Sequence, residues 1–276
     1  MMHKTVRILI LTLVFSVFSC GQISSKDAIL QRVAVTGASV TSGYGVRTQP
    51  IRGDLGAYPV NFKHIMEGMI LVPHEEVGFF GDLMFFRNSR VIAESYIQQI
   101  IEFKPTLVIG IDFLFWFGYG PVPTGSNEGT YRMHRLNFAL GLLDTINAPI
   151  VIGDLPDVRE SVGRMLSQSQ VPDEQLLQML NARIYSWAKQ HGNVLILPAN
   201  EYWRRMMQDE EITILGYTWP AGSRTKLLQR DMLHTTLEGT VVAGLFIVES
   251  LDTTGLETDP KIIMKKAAAH ARDDAN

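Results

Sequence analysis

Two short stretches near opposite ends of the chain carry residue types that together can do acyl-transfer chemistry. The first is Gly37-Ala38-Ser39-Val40-Thr41-Ser42-Gly43-Tyr44-Gly45, directly after the apolar run Arg32-Val33-Ala34-Val35-Thr36. The second is Asp231-Met232-Leu233-His234, followed by Thr235-Thr236-Leu237-Glu238-Gly239 and a long apolar segment. A serine on a tight glycine turn after a strand is presented as a nucleophile, and the amide N–H of Ser39 can point at a developing oxyanion. An Asp-x-x-His pair supplies a general base, His234, and a carboxylate, Asp231, that fixes its tautomer. Taken singly, the first stretch also fits a structural Gly/Ser loop and the second a surface turn; their order and contexts raise both. The first lacks the second glycine of a Gly-x-Ser-x-Gly nucleophile elbow, which Thr41 replaces, and no Gly-Lys-Ser/Thr follows as in a phosphate-binding loop.

These residues need a scaffold that brings two distant loops to one edge. Strand and helix patterns alternate from Arg32 onward. Strands are expected at Arg32–Thr36, Asp82–Phe86, Thr106–Ile109, Ile150–Ile152 and Val194–Leu197. Helices are expected near Asn61–Met69, Arg90–Phe103, Tyr131–Asn147 and Asp173–Gln190, the last with acids at its start and Gly192 as its stop. The Thr235-x-x-Glu238 pattern reads as a capping box for a final helix to about Leu251. Such alternation gives a parallel sheet covered on both faces, with ligands gathering at the carboxyl ends of its strands. The aromatic run Phe113-Leu114-Phe115-Trp116-Phe117-Gly118-Tyr119-Gly120 reads equally well as a crevice wall and as buried core.

The 276 residues carry a net charge of -3 with 19% charged and 46% hydrophobic residues, an ordinary globular balance. No basic run offers a nucleic acid an electrostatic footprint. No His-x-x-x-His, Cys-x-x-Cys or acid cluster marks a metal site, and no cofactor is expected. The start differs. Lys4 and Arg7 precede an almost wholly apolar stretch from Ile8 to Phe18, the form of a secretory signal and too short for a confident membrane span. Cys20, the only cysteine, ends it and cannot form an internal disulfide. The expected organisation is a signal over 1–19, a tether over 20–31, a catalytic domain over 32–252 and a frayed or weakly helical tail over 253–276.

Val17-Phe18-Ser19-Cys20-Gly21 resembles the lipobox of bacterial lipoproteins. That implies lipidation of Cys20 and residence at a membrane surface of the cell envelope. The Ser39 stretch resembles the first block of the SGNH (GDSL-type) hydrolases, and Asp231 to Gly239 resembles their last block. The resemblance spans roughly Arg32 to Leu251. It implies a flavodoxin-like three-layer fold and a serine esterase or acylhydrolase acting on a lipid ester or an O-acetylated sugar. Ser39 is then the nucleophile, His234 the base and Asp231 its orienter. The oxyanion donors implied are the N–H groups of Ser39 and Ala93, the latter standing where the family has a glycine, and the side chain of Asp112, standing where the family has an asparagine. An ionised Asp112 would repel the oxyanion, so this assignment expects a carboxyl kept neutral by burial, and an Asp112→Asn variant that retains or gains rate. A non-hydrolytic binding protein on the same fold is the competing expectation.

Overall fold

The computed structural model describes residues 26–49, 56–251 and 253–275. The expected signal and Cys20 lie outside them. Five strands form the central sheet: β1 (Arg32–Gly37), β2 (Glu76–Gly81), β3 (Leu107–Gly110), β4 (Ile150–Gly153) and β5 (Val194–Leu197). Their order is β2-β1-β3-β4-β5 and every pair is parallel. This is the flavodoxin-like order, with its switch point between β1 and β3. β1, β3 and β4 are almost entirely buried, as their unbroken Val/Ile/Leu runs require of strands covered on both faces.

The sheet is sandwiched. On one side α1 (Phe62–Met69), α8 (Leu237–Ser250) and α9 (Pro260–Asp273) pack together. On the other lie α2 (Ser89–Phe103), α4 (Glu128–Leu143) and α5 (Glu174–Ala188), with the short α3 (Phe115–Gly118) against α4. Side-chain caps set several helix starts: Asn61 accepts from the His64 N–H, Asn127 from Thr130 and Asp173 from Leu176. Completing the chain are α6 (Ala199–Met207), α7 (Arg224–Leu227) and the antiparallel pair β6 (Ile212–Ile214) and β7 (Tyr217–Trp219).

Several expectations are corrected. The second strand is Glu76–Gly81, and Asp82–Phe86 is the turn beyond it, because Glu76–Gly81 is the segment in register with β1. The last helix begins one residue later than the capping box suggested: Thr236 caps the Gly239 N–H, while the Thr235 hydroxyl meets that of Thr240 at 2.7 Å. Residues 26–31 are no tether. Leu30 is fully buried, and the Asp27 carboxylate accepts from the Thr253 hydroxyl and the Gly255 N–H. The tail is a built element as well. Asp259 caps α9 with Pro260 in its first turn, and Ile263, Ala267 and Ala271 are buried. Asp274, just past its end, lies 3.1 Å from Lys63 and 3.2 Å from His64 on α1. Burial lowers the His64 pKa, and Asp274 only partly offsets this.

Candidate active site

β1 ends at Gly37, and the chain then coils back on itself. The Ala38 carbonyl accepts from Ser42 N–H at 2.8 Å and the Ser39 carbonyl from Tyr44 N–H at 2.9 Å. Gly37 is required by close approach: a Cβ there would stand 2.1 Å from Asp112 Oδ1 and 2.3 Å from Thr41 Oγ1. Gly43 sits at φ +69 with its α-carbon against the Val60 carbonyl, where a Cβ would come to 1.8 Å.

The second loop approaches from the far end of the chain. Asp231 Oδ1 accepts the Leu233 and His234 N–H groups, each at 3.0 Å. Met232 between them is held at φ +56, a strained conformation for a side-chain-bearing residue and one that aims His234 at the sheet edge. His234 Nδ1 lies 2.8 Å from Asp231 Oδ2, and Nε2 lies 2.9 Å from Ser39 Oγ. A carboxylate only accepts, so Nδ1 carries the proton, and the Nε2 lone pair faces the serine hydroxyl. The imidazole is 3% exposed, and the Tyr44 ring covers it at a centroid distance of 4.3 Å. Burial acts to raise the Asp231 pKa. Hydrogen bonds from the His234 ring and the Leu233 and His234 amides outweigh it, holding the carboxyl below its ordinary value.

The two oxyanion roles that the family resemblance implied for Ala93 and Asp112 fail on geometry. Ala93 is fully buried in the second turn of α2, where its N–H belongs to the helix ladder. Asp112, just past β3 across the switch point, turns its carboxylate to the underside of the Ser39 loop. Its Oδ1 accepts from Ala38 N–H at 2.9 Å and the Thr41 hydroxyl at 2.6 Å. Its Oδ2 accepts from Val40 N–H at 2.8 Å and Thr41 N–H at 3.4 Å. Burial pushes the Asp112 carboxyl up, opposed by these four donors, so the expected direction holds although the role differs. Among the described residues no group accepts from the Ser39 N–H, the one amide between Ala38 and Thr41 that Asp112 does not take.

Sequence reasoning missed Gln229. Its side-chain NH2 donates to the Tyr44 carbonyl at 2.6 Å and the Thr235 carbonyl at 2.8 Å, tying the two loops together. Its own N–H donates to the His234 carbonyl at 2.8 Å. A glutamine two residues before an Asp-x-x-His has no spacing signal of its own. The aromatic run divides between its two readings: Phe113, Phe117 and Tyr119 are core, whereas Phe115 also lines a cavity beside Ser39.

No protein-family model matches the chain, and no curated protein matches it. Among solved structures, it is similar to a gut microbial diltiazem-metabolizing enzyme at 14% identity and TM-score 0.49, over 80% of this chain and 46% of that one. It is also similar to a GDSL-like lipase from Bacteroides thetaiotaomicron at 17% identity and TM-score 0.46, over 81% of this chain and 88% of that one. The chain thus spans about half the length of the first of these. The strand order itself sets the fold class. Among the described residues no helix is long and apolar enough to cross a membrane.

Proposed function

We propose that this chain is a serine ester hydrolase of the SGNH type, held at a bacterial envelope membrane by lipid on Cys20. The observation that carries the catalytic reading is the relay from Ser39 Oγ through His234 to Asp231, at 2.9 and 2.8 Å. In this mechanism His234 Nε2 takes the Ser39 proton as Oγ attacks the ester carbonyl carbon. Negative charge develops on the carbonyl oxygen, and the uncommitted Ser39 N–H stabilises it. Collapse breaks the bond to the alcohol oxygen, which receives the proton from His234, and leaves an acyl-serine. Water then repeats the sequence: His234 removes its proton, the hydroxide oxygen bonds to the carbonyl carbon, and the acid departs as Ser39 recovers its hydrogen. Asp231 orients the ring throughout and stabilises its charged form.

Reaction with a fluorophosphonate probe tests the reading whatever the natural substrate. Labelling of the native chain that is lost in Ser39→Ala and His234→Ala supports it. Labelling retained in Ser39→Ala would end it. A non-hydrolytic binding protein is the second reading, favoured by one observation: Asp112, where the family has an oxyanion-donating asparagine, spends its carboxylate on the loop. A native chain that never labels would favour it. Membrane attachment rests on the charged start, the apolar stretch and the sole cysteine. Mass spectrometry of the membrane fraction, seeking a chain that begins at acylated Cys20, decides that part.

A further inference from the structure

A cavity of about 70 Å³ opens beside Ser39 and runs between the carboxyl ends of β3 to β5, α6 and α8. Ile111, Phe115, Leu197, Trp203, Leu233 and Phe246 supply much of its wall. It also meets polar side chains, most of which already have a protein partner. Asp112 serves the nucleophile loop. Asp154 accepts from Asn200 N–H at 2.7 Å and the Tyr185 hydroxyl at 3.0 Å. The Thr235 hydroxyl pairs with Thr240 at 2.7 Å, and the Tyr202 hydroxyl donates to the Gly239 carbonyl at 3.3 Å. The Trp203 indole N–H has no partner among the described residues but is sealed from solvent. No basic side chain lines the cavity, whereas two carboxyls do.

Such a mostly apolar wall would bury most of a sugar's hydroxyls without partners, and an anionic acyl group would face Asp154. We infer that the cavity holds the acyl part of the ester, that this part is a short unbranched alkyl chain, and that Ala243 and Phe246 on α8 set its length. The inference rests on the serine-hydrolase reading and narrows its substrates to aliphatic esters. An apolar cavity of about 150 Å³ holds benzene, so one of about 70 Å³ accommodates about three carbons, a chain near propanoyl to butanoyl. Ala243 is one of the two alanines of the wall, with Ala199, and Phe246 lies one helical turn beyond it, its ring 5.0 Å from that of Tyr202.

The test is a series of p-nitrophenyl esters from acetyl to decanoyl, with kcat/KM measured for the native chain, Ala243→Phe and Phe246→Ala. The native profile should peak at propanoyl to butanoyl. Ala243→Phe should lower the butanoyl-to-acetyl ratio by about tenfold or more, and Phe246→Ala should move the peak to longer chains. Thermal melts establish that each variant folds. A second arm is independent of turnover: the Ser39→Ala chain should bind butanamide about tenfold or more tighter than acetamide, and adding Ala243→Phe should erase the difference. Profiles and affinities that do not move in folded variants overturn the acyl assignment. Turnover that survives Ser39→Ala strikes instead at the serine reading, and the amide arm still decides the cavity.

Discussion

The carboxylate of Asp112 and the backbone of Val40 meet at 2.8 Å across the switch point of the sheet, so the loop that carries Ser39 is clamped from below by the strand next door. Three amides and one hydroxyl converge on that carboxylate. The consequence reverses the expectation that the family resemblance attached to this position. Asp112→Asn puts an NH2 group against N–H donors. Activity on short esters should fall by about tenfold or more, and stability by about 1–3 kcal/mol. Kinetics and urea melts of the variant check this; a rate equal to or above the native one would show that the clamp is dispensable.

Gln229 holds the Ser39 loop to the His234 loop through Tyr44 and Thr235. Gln229→Leu should lower kcat while leaving KM within about twofold, since Gln229 aligns groups without lining the cavity. Stability should drop by about 1–2 kcal/mol for the two lost bonds. Gln229→Glu, which keeps one acceptor-type oxygen but loses both donors, should be no better. Steady-state kinetics that show a KM effect alone would contradict the alignment role.

Asp231 is held below its ordinary pKa, so its ionised form is favoured more by the folded chain than by the unfolded one. Its contribution to stability is therefore present above the unfolded value and is lost as pH falls through the lower folded value. The difference in unfolding free energy between the native chain and Asp231→Asn should shrink as pH drops below about 4. Urea titrations between pH 2 and 7 measure it. A difference independent of pH would mean that Asp231 matters by shape and not by charge.

Asp154 runs in the opposite sense. Burial pushes its carboxyl up to about 6, against the hydrogen bonds from the start of α6 and from Tyr185. The folded chain thus binds a proton that the unfolded chain has released between the ordinary value of 3.8 and about 6, and stability declines as pH rises through that window, then levels. The gap corresponds to about 3 kcal/mol. Asp154→Asn keeps an acceptor for the Asn200 N–H and removes the charge, so the variant should equal or exceed native stability at pH 7.5. A loss of more than about 1 kcal/mol there, in the same urea assay, would show that the ionised form is the one α6 needs.

Much of this molecule could be read from the chain alone, and the reason is local. β1, β3 and β4 are buried on both faces, so they appear as continuous apolar runs, and the edge strand β5 keeps the same apolar composition between Gly192 and Pro198. α2, α4 and α5 carry apolar stripes and short-range caps. Ser39, Asp231 and His234 were legible because each sits in a motif whose members lie within a few residues of one another. Other features depend on partners distant in sequence. Whether Glu76–Gly81 or Asp82–Phe86 pairs with β1 is decided by register, which a hydrophobic pattern leaves open within a few residues. α9 became a structural element because α1 offers a surface for Ile263 and Ala267, and propensity alone does not announce that surface. Gln229 acquires its role from two carbonyls that only the folded chain brings within reach. Asp112 shows the division most sharply. Its position after β3 and its raised pKa could be argued from its neighbours in the chain, but which way a carboxylate faces is set by where the donors are. Three of those donors are amides of a loop 71 to 74 residues earlier, brought beneath Ser39 by the pairing of β1 with β3.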